Sequence, residues 1–198
     1  MTQNADYLNE LGLLNRLQRS GFMFLGTGEQ TVSQHMFRML HIVFLLNRMS
    51  EHAERVDELK LLHLVMFHDV PEARTGDHNY VNKRYVSEDM DKLLDEGSVK
   101  WPYGEEIVSY IREFEARETP AAQLANDADQ LELLVVLKEQ IDIGNANANE
   151  WIPPLLGRLK TKAGKKLAQE ILETYWTDWW FNNKHDPHWV HGSRKQGE

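Results

Sequence analysis

The chain has 198 residues, of which 41% are hydrophobic and 27% are charged, a balance typical of one globular domain with its own core. Its formal net charge of −9 opposes sequence-independent binding to nucleic acid, which depends on clustered lysine and arginine. The absence of cysteine excludes disulfides, thiolate metal sites and cysteine nucleophiles, and it favours a cytoplasmic location.

The apolar stretches are far shorter than the roughly 20 residues that a bilayer requires, so we expect no membrane span. The start of the chain lacks the basic region of a signal peptide. We expect a single domain over residues 1–198, with its core at about residues 7–181. The polar stretch 182–198 is broken by Pro187 and does not favour ordered structure.

Apolar residues recur at spacings of three and four, and no stretch of convincing period-two alternation competes with them. An all-α fold is therefore predicted, with Gly97 among the breaks between helices. The predicted helices are Tyr7–Leu17, Thr31–Met49, Asp57–His68, Ser87–Leu94, Glu105–Arg117, Ala121–Ile141 and Lys162–Trp180.

The second predicted helix carries the first candidate metal ligand. Thr31 followed three residues later by Gln34 is a capping-box pattern, which places the start of the helix at Thr31. His35 then shares one side of this helix with the apolar residues Met39 and Val43.

The third predicted helix ends in His68-Asp69, just before Pro71. Adjacent residues lie ~100° apart around a helix axis, so the two side chains can approach one ion from two directions. Neutral imidazole and carboxylate are both suitable ligands for Zn, Mn, Fe or Co. The dipeptide alone is not specific, because His185-Asp186 repeats it in the polar tail, where a structural role is favoured.

A later helix contains Asp127 and Asp129 directly before the apolar run LELLVVL. A carboxylate that enters a core needs a cation or hydrogen bonds to offset its desolvation. Asp129 shares a helical side with Leu133 and Val136 and is the better candidate ligand, with Asp127 as the alternative.

In this order, an early His, a His-Asp pair and a later Asp resemble the signature of the HD-domain phosphohydrolase superfamily. The run from His68 to Asp77 is similar to the His-Asp-x-x-Glu-x-x-x-Gly-Asp run of its 5′-deoxynucleotidase branch. Thr31-Val32-Ser33-Gln34-His35 is similar to the branch's Ser-Val-x-Glu/Asp-His. Gln34 and Asn126 depart from the acidic residue and the lysine that are usual there.

The resemblance implies an all-α homodimer that binds one divalent cation through His35, His68, Asp69 and Asp129. The cation is Mn, Co, Zn, Fe, Ni or Mg, among which the sequence does not discriminate. The implied reaction is hydrolysis of a (deoxy)nucleoside 5′-monophosphate to nucleoside and phosphate, and the implied partner is this nucleotide, without nucleic acid or membrane.

Four further residues receive roles in this interpretation. Glu72, three residues after Asp69, is expected within reach of the nucleophilic water and is assigned to orient or deprotonate it, although Pro71 and the helix dipole also favour a glutamate there. The resemblance places Asp77 near the sugar or a bound water, where a plain turn residue is the alternative. It places Arg16 and Arg19 at the phosphate, where solvated helix arginines are the alternative.

Two other functions stay open on the sequence. The first is an HD phosphohydrolase acting on a triphosphate, a cyclic dinucleotide or a guanosine polyphosphate, against which the acidic composition argues. The second is a non-catalytic, metal-stabilised helical interaction module with the tryptophan-rich C-terminal region as its partner surface. The presence of Glu72 and Asp77 beside the four ligands argues against it, because a structural ion prefers a closed coordination shell.

Overall fold

The computed structural model describes residues 3–51, 55–183 and 185–191. Within these ranges the backbone forms α-helices, short 3₁₀ turns and loops, and the isolated bridge between Gln18 and Thr31 is the only β-type pairing there. The all-α prediction is confirmed. The helices are α1 (Gln3–Leu11), α2 (Phe22–Leu25), α3 (Val32–Met49), α4 (Glu58–Phe67), α5 (Glu72–Thr75), α6 (Met90–Lys100), α7 (Gly104–Ala116), α8 (Pro120–Asp142), α9 (Ile152–Arg158), α10 (Lys162–Glu173), α11 (Asp178–Phe181) and α12 (Pro187–His191), with 3₁₀ turns at Asn82–Arg84 and Ala146–Trp151.

Helix α8 lies at the centre of the main core. Thr119 caps its start by accepting a hydrogen bond from the Ala122 amide, and Pro120 occupies the first turn, where its missing N–H costs nothing. Buried residues lie on every side of α8, and α3, α4, α7, α9 and α10 pack around it. Polar residues of such a helix must find partners inside the protein, so its buried carboxylates indicate specific interactions.

Helices α3 and α4 pack against each other and against α8. The predicted capping box of α3 is present, with Thr31 Oγ1 accepting from the Gln34 amide and Gln34 Oε1 accepting from the Thr31 amide. At the far end of α4, His68 is the capping residue, and its N–H still bonds to the Leu64 carbonyl. The end of α4 therefore places His68 near Asp129 of α8 and the following Asp69 next to His35 of α3.

A second, smaller hydrophobic cluster lies between α6, α7 and the turn after α4. Its buried members include Val70 and Trp101. The Trp101 indole N–H donates to Glu10 of α1, and Arg74 of α5 pairs with the same carboxylate. These contacts hold the short helix α5, and with it Glu72, against the rest of the domain.

Two predicted helix positions at the N-terminal side are wrong. The first helix covers Gln3–Leu11 instead of Tyr7–Leu17, because residues after Gly12 turn and the Arg19 N–H bonds to the Gln30 carbonyl. Helix α6 covers Met90–Lys100 instead of Ser87–Leu94 and includes Gly97. A Cβ at Gly97 would lie 2.6 Å from the Trp101 ring, so this glycine permits close packing and does not break the helix.

The helix predicted to reach Trp180 ends at Glu173. Asp142 of α8 accepts hydrogen bonds from the Lys138 side chain and from the Trp176 amide, which holds the chain outside the helix after Thr174. Within the stretch 182–198, whose order the sequence did not favour, residues Pro187–His191 form α12. Residues 184 and 192–198 lie outside the described residues. None of the described helices is long and apolar enough to cross a membrane.

Candidate metal centre and active site

The structure brings the four predicted ligands together from three helices. His35 is on α3, His68 and Asp69 are at the end of α4, and Asp129 is on α8. One potential ligand atom from each of His35, His68 and Asp129 lies within 4.8 Å of the others. Asp69 Oδ2 completes the group, at 3.1 Å from His68 Nε2 and 3.7 Å from His35 Nε2.

Both imidazoles present an unused nitrogen to this group. His68 Nδ1 lies 2.8 Å from the Val65 carbonyl, and His35 Nδ1 lies 2.6 Å from Glu132 Oε2. A carbonyl oxygen only accepts, so the His68 proton is on Nδ1 and its Nε2 keeps a lone pair. Both Nε2 atoms are buried without a hydrogen-bond partner. Buried nitrogens facing two carboxylates fit a divalent cation, since such atoms seldom stay unsatisfied.

The charges around the ligand group shift the pKa values of Asp129 and His35. Burial opposes ionisation of Asp129, but His35, Arg19 and His68 outweigh burial and hold its pKa below its usual range. Burial and Arg19 oppose a charge on His35, yet Asp129 and Glu132 raise its pKa. Carboxylates that stay ionised beside imidazoles form a pocket that favours a positive charge.

Glu132 is a residue of this site that the sequence interpretation did not identify. Its side chain is fully buried on α8, three residues after Asp129, and it accepts from Gln30 Nε2 at 2.6 Å as well as facing His35. Its signal in the sequence is a glutamate within the apolar run LELLVVL, where burial of the run also buries the acid.

Asp127, the alternative ligand, serves a different purpose. It is buried, and its carboxylate accepts hydrogen bonds from the Lys160 amide at 2.9 Å and from the amide and hydroxyl of Thr161 at 2.8 and 2.7 Å. Thr161 is the residue that caps α10. Asp127 is therefore committed to joining α8 to the start of α10.

Glu72 lies in the first turn of α5 with its Oε2 buried and without a hydrogen-bond partner. Burial, followed by the charges of Asp69 and Asp77, raises the pKa of Glu72 to about 10, although Arg19 and Lys83 oppose the shift. The carboxyl group is therefore protonated near neutral pH as long as no cation is bound, and it carries a proton next to the ligand group.

The two predicted phosphate-binding arginines have different surroundings. Burial disfavours the charge on Arg19, but Asp129, Asp69, Glu132 and Asp77 together raise its pKa, which places this guanidinium close to the ligand group. Arg16 is exposed on the turn that follows α1. The local sequence, LLNRLQRSG, gives both arginines the same appearance, and only the fold separates them.

Asp77 follows Gly76, whose φ of 82° suits glycine. Its Oδ2 accepts hydrogen bonds from the amide and the hydroxyl of Ser20, the latter at 2.7 Å. Asn79 Nδ2 donates to the same hydroxyl at 3.0 Å. Asp77 therefore ties the turn after α5 to the loop that carries Arg19, and it lies close enough to Glu72 to act on its pKa.

A family model described as HD domain matches residues 11–172, which include all four candidate ligands. The chain belongs to the HD domain family. The resemblance noted in the sequence is confirmed at the level of the family.

Curated relatives of this HD domain are similar over most of their length. The chain is 26% identical over 144 residues to a 5′-deoxynucleotidase HDDC2 from Dictyostelium discoideum, covering 68% of this chain and 76% of that protein. It is 25% identical over 150 residues to a 5′-deoxynucleotidase HDDC2 from Danio rerio, covering 70% of each.

Solved structures share the fold of this HD domain. A conserved hypothetical protein from Pyrococcus furiosus superposes with a TM-score of 0.74 at 22% identity, covering 85% of this chain and 98% of that one. A predicted metal-dependent phosphohydrolase from Magnetospirillum magnetotacticum MS-1 superposes with a TM-score of 0.66 at 20% identity, covering 85% and 88%. These likenesses establish the helical architecture that positions the ligand group.

Proposed function

We propose that this HD domain is a metal-dependent phosphohydrolase that hydrolyses (deoxy)nucleoside 5′-monophosphates to nucleoside and phosphate. The observation that carries the proposal is the pair of buried Nε2 atoms of His35 and His68, which make no hydrogen bond but lie 3.1–3.7 Å from carboxylate oxygens of Asp69 and Asp129. The names of the curated relatives, 5′-deoxynucleotidases at 25% and 26% identity, support the substrate class.

The proposed ligands are His35, His68, Asp69 and Asp129, and their donor set is suitable for Mn, Co, Zn, Fe or Ni, and less so for Mg. A bound divalent ion supplies Lewis-acid charge for a phosphoryl oxygen and for the nucleophilic water. Each imidazole is held by its Nδ1, so both Nε2 atoms keep a fixed direction without rearrangement.

Three side chains of the protein perform the remaining tasks in this proposal. Arg19 orients the phosphate with its guanidinium, which matches phosphate oxygens with two parallel N–H donors. Glu72 holds and transfers a proton at its Oε2, which lies buried beside Asp69. Asp77 has one oxygen committed to Ser20, which leaves Oδ1 for a sugar hydroxyl.

A monophosphate fits the charge available at the site. With the proposed cation, Arg19 adds one positive charge, while the chain as a whole carries −9. A triphosphate or guanosine polyphosphate has more negative charge to neutralise. Besides Arg19, the described cation that acts on Glu72 at this site is Lys83. Monophosphates are therefore the preferred substrates in this proposal.

The expected homodimer also belongs to this proposal. Helix α3 exposes Phe37, Phe44 and Leu45, whereas His35 and Met39 of the same helix are buried. An exposed apolar face of this kind is typical of a surface that a second subunit covers. The cytoplasmic location expected from the cysteine-free sequence is likewise a prediction.

The decisive test is release of phosphate from a panel of nucleotides by purified protein, assayed with Mn, Co, Mg and Zn in turn. The panel contains the mono- and triphosphates of adenosine and deoxyadenosine, a cyclic dinucleotide and a guanosine polyphosphate. We expect monophosphates to have the highest kcat/KM. Triphosphates turned over about ten times faster would replace the proposed substrate class, and no hydrolysis with any metal would favour the interaction module.

A further inference from the structure

The carboxylate of Glu132 lies between the ligand group and a groove that α3 and α8 line together. Its side chain is 0% exposed. Oε2 faces His35 Nδ1 at 2.6 Å, whereas Oε1 accepts from Gln30 Nε2 at 2.6 Å and lies 3.4 Å from Arg38 Nη1. Burial of a charged carboxylate is costly unless every oxygen is engaged, and here both are.

The contact between Glu132 and His35 does more than join two helices, because it also affects the protonation of the imidazole. A carboxylate accepts hydrogen bonds, so it favours the proton of the imidazole on Nδ1 and leaves Nε2 as a lone-pair donor. It also makes the ring a stronger base towards a cation on the opposite nitrogen. In His68 the neutral Val65 carbonyl performs the same orienting task without a charge. The two imidazoles therefore differ in their partners.

We infer that Glu132 is a positioning residue for the metal: through His35 it fixes the direction and the basicity of one ligand and thereby sets the metal affinity. This inference rests on the metal site of the proposed function. Arg38 balances the charge of Glu132 from the groove, a cavity of about 760 Å³ that Arg38, Gln30 and Glu139 help to line.

Glu139 provides a matched control on the same helix. It contacts Arg38 Nη2 at 3.4 Å, as Glu132 contacts Nη1, but its contact in the structure is with Arg38 and not with His35. Glu132→Gln and Glu139→Gln therefore both weaken the pairing with Arg38, while only Glu132→Gln changes the hydrogen bond to a proposed ligand.

The experiment measures the dissociation constants of Mn and Co by competition with a chelator, together with the visible absorption spectrum of the Co(II)-loaded proteins. Folding of each variant is checked by circular dichroism. We expect Glu132→Gln to bind metal ~10–100-fold more weakly than wild type and to change the Co(II) spectrum. Glu139→Gln should keep the metal affinity within about twofold of wild type and leave the Co(II) spectrum unchanged, because the partner of His35 is intact.

A second variant covers the case in which Glu132→Gln does not fold. Glu132→Asp keeps the buried charge but withdraws the carboxylate from His35 by one methylene, so it should also weaken metal binding and alter the Co(II) spectrum. A folded Glu132 variant with wild-type affinity and spectrum would overturn the inference. Failure of both variants to fold would also overturn it and make Glu132 a residue of the core.

The result is separable from the test of the proposed function. Wild-type protein that binds Mn or Co but hydrolyses no nucleotide contradicts the nucleotidase and leaves the role of Glu132 to be decided by the affinities. Wild-type protein that hydrolyses monophosphates, with a Glu132→Gln variant of unchanged affinity, supports the nucleotidase and contradicts the positioning role.

Discussion

The Asp77 carboxylate binds Ser20, the residue that directly follows Arg19, through both the amide and the hydroxyl of the serine. One carboxylate thereby connects the turn after α5 to the loop that carries the proposed phosphate ligand. This contact offers a structural explanation for Asp77 beside the proposed contact with the sugar, and the two roles predict different results.

Asp77→Ala should change the ratio of kcat/KM between deoxyadenosine and adenosine monophosphates by ~10-fold or more, because a hydroxyl loses its acceptor. The metal content should stay at the wild-type level, since Asp77 is not a proposed ligand. Ser20→Ala is the control: it removes the hydroxyl bond and retains the Asp77 carboxylate. An equal shift in both variants would assign Asp77 to holding the loop.

Asp127 and Asp129 are two residues apart on α8, and their substitution should affect different properties, stability for Asp127 and metal binding for Asp129. Asp129→Asn should remove the metal or weaken its binding strongly, because a proposed ligand loses its charge. Asp127→Asn should retain the metal but lower the free energy of unfolding by about 1–3 kcal/mol, since the amides of Lys160 and Thr161 lose a charged acceptor. Metal analysis and urea denaturation of both variants provide the comparison. Unchanged metal in Asp129→Asn would refute this ligand set.

The sequence allowed the ligand group to be predicted because each ligand lies in a local pattern. His35 follows a capping box, His68-Asp69 ends an apolar helix before a proline, and Asp129 precedes an apolar run. Patterns of this kind depend on the spacing of neighbouring residues and determine the local helix. The structure brings one potential ligand atom from each of His35, His68 and Asp129 within 4.8 Å of the others.

The parts that the sequence did not reveal depend on contacts between distant residues. The separation of Arg19 from Arg16 results from the path of the loop, where the Arg19 amide bonds to Gln30 and the Val32 amide bonds to Leu17. No pattern near Arg19 specifies those bonds. Glu132 was overlooked because a single acid in an apolar run is not distinctive until its partner is known.

Glu72→Gln separates chemistry from metal binding. The variant retains the size of the side chain but can neither release nor accept a proton at Oε2, so turnover should fall by the ~10²–10⁴ typical of a lost general acid–base group. Metal content and folding should match the wild type. Steady-state kinetics with a monophosphate, together with metal analysis, measures both. Wild-type turnover in Glu72→Gln would mean that Glu72 has no role in proton transfer and is only a glutamate favoured at the start of a helix.

Glu72 should also make the stability of the metal-free protein depend on pH. Burial and the charges of Asp69 and Asp77 raise the pKa of Glu72 from 4.5 to about 10. Because the pKa of Glu72 is raised in the folded state, its contribution to the free energy of unfolding is complete below about pH 4.5 and is lost as the pH rises towards about 10. Urea midpoints of EDTA-treated wild type should therefore fall between about pH 5 and about pH 10.

Glu72→Gln stays neutral throughout this window, so its midpoints should fall less steeply. Asp129 acts in another window, since its lowered pKa gives stability that is lost only below its ordinary range. Parallel profiles for wild type and Glu72→Gln between pH 5 and pH 10 would show that Glu72 does not hold the proton.

The charge of Arg19 should have opposite effects on the binding of substrate and on the binding of metal. Arg19→Gln removes a guanidinium that the proposed function places at the phosphate, so kcat/KM for a monophosphate should fall ~10²-fold or more. The same guanidinium lies near Asp129 and Asp69, where its charge competes with a cation. Removing it should leave metal binding unweakened or make it tighter.

Arg16→Gln is the comparison, because it removes an arginine from the same stretch that is exposed in the structure. Its kcat/KM should stay much closer to wild type than that of Arg19→Gln. Kinetics and chelator competition on the two variants test both signs. An equal loss of kcat/KM in Arg16→Gln and Arg19→Gln would indicate that Arg16 also binds the phosphate. A loss of metal in Arg19→Gln would mean that Arg19 supports the fold of the ligand group, because a purely electrostatic contribution from this cation has the opposite sign.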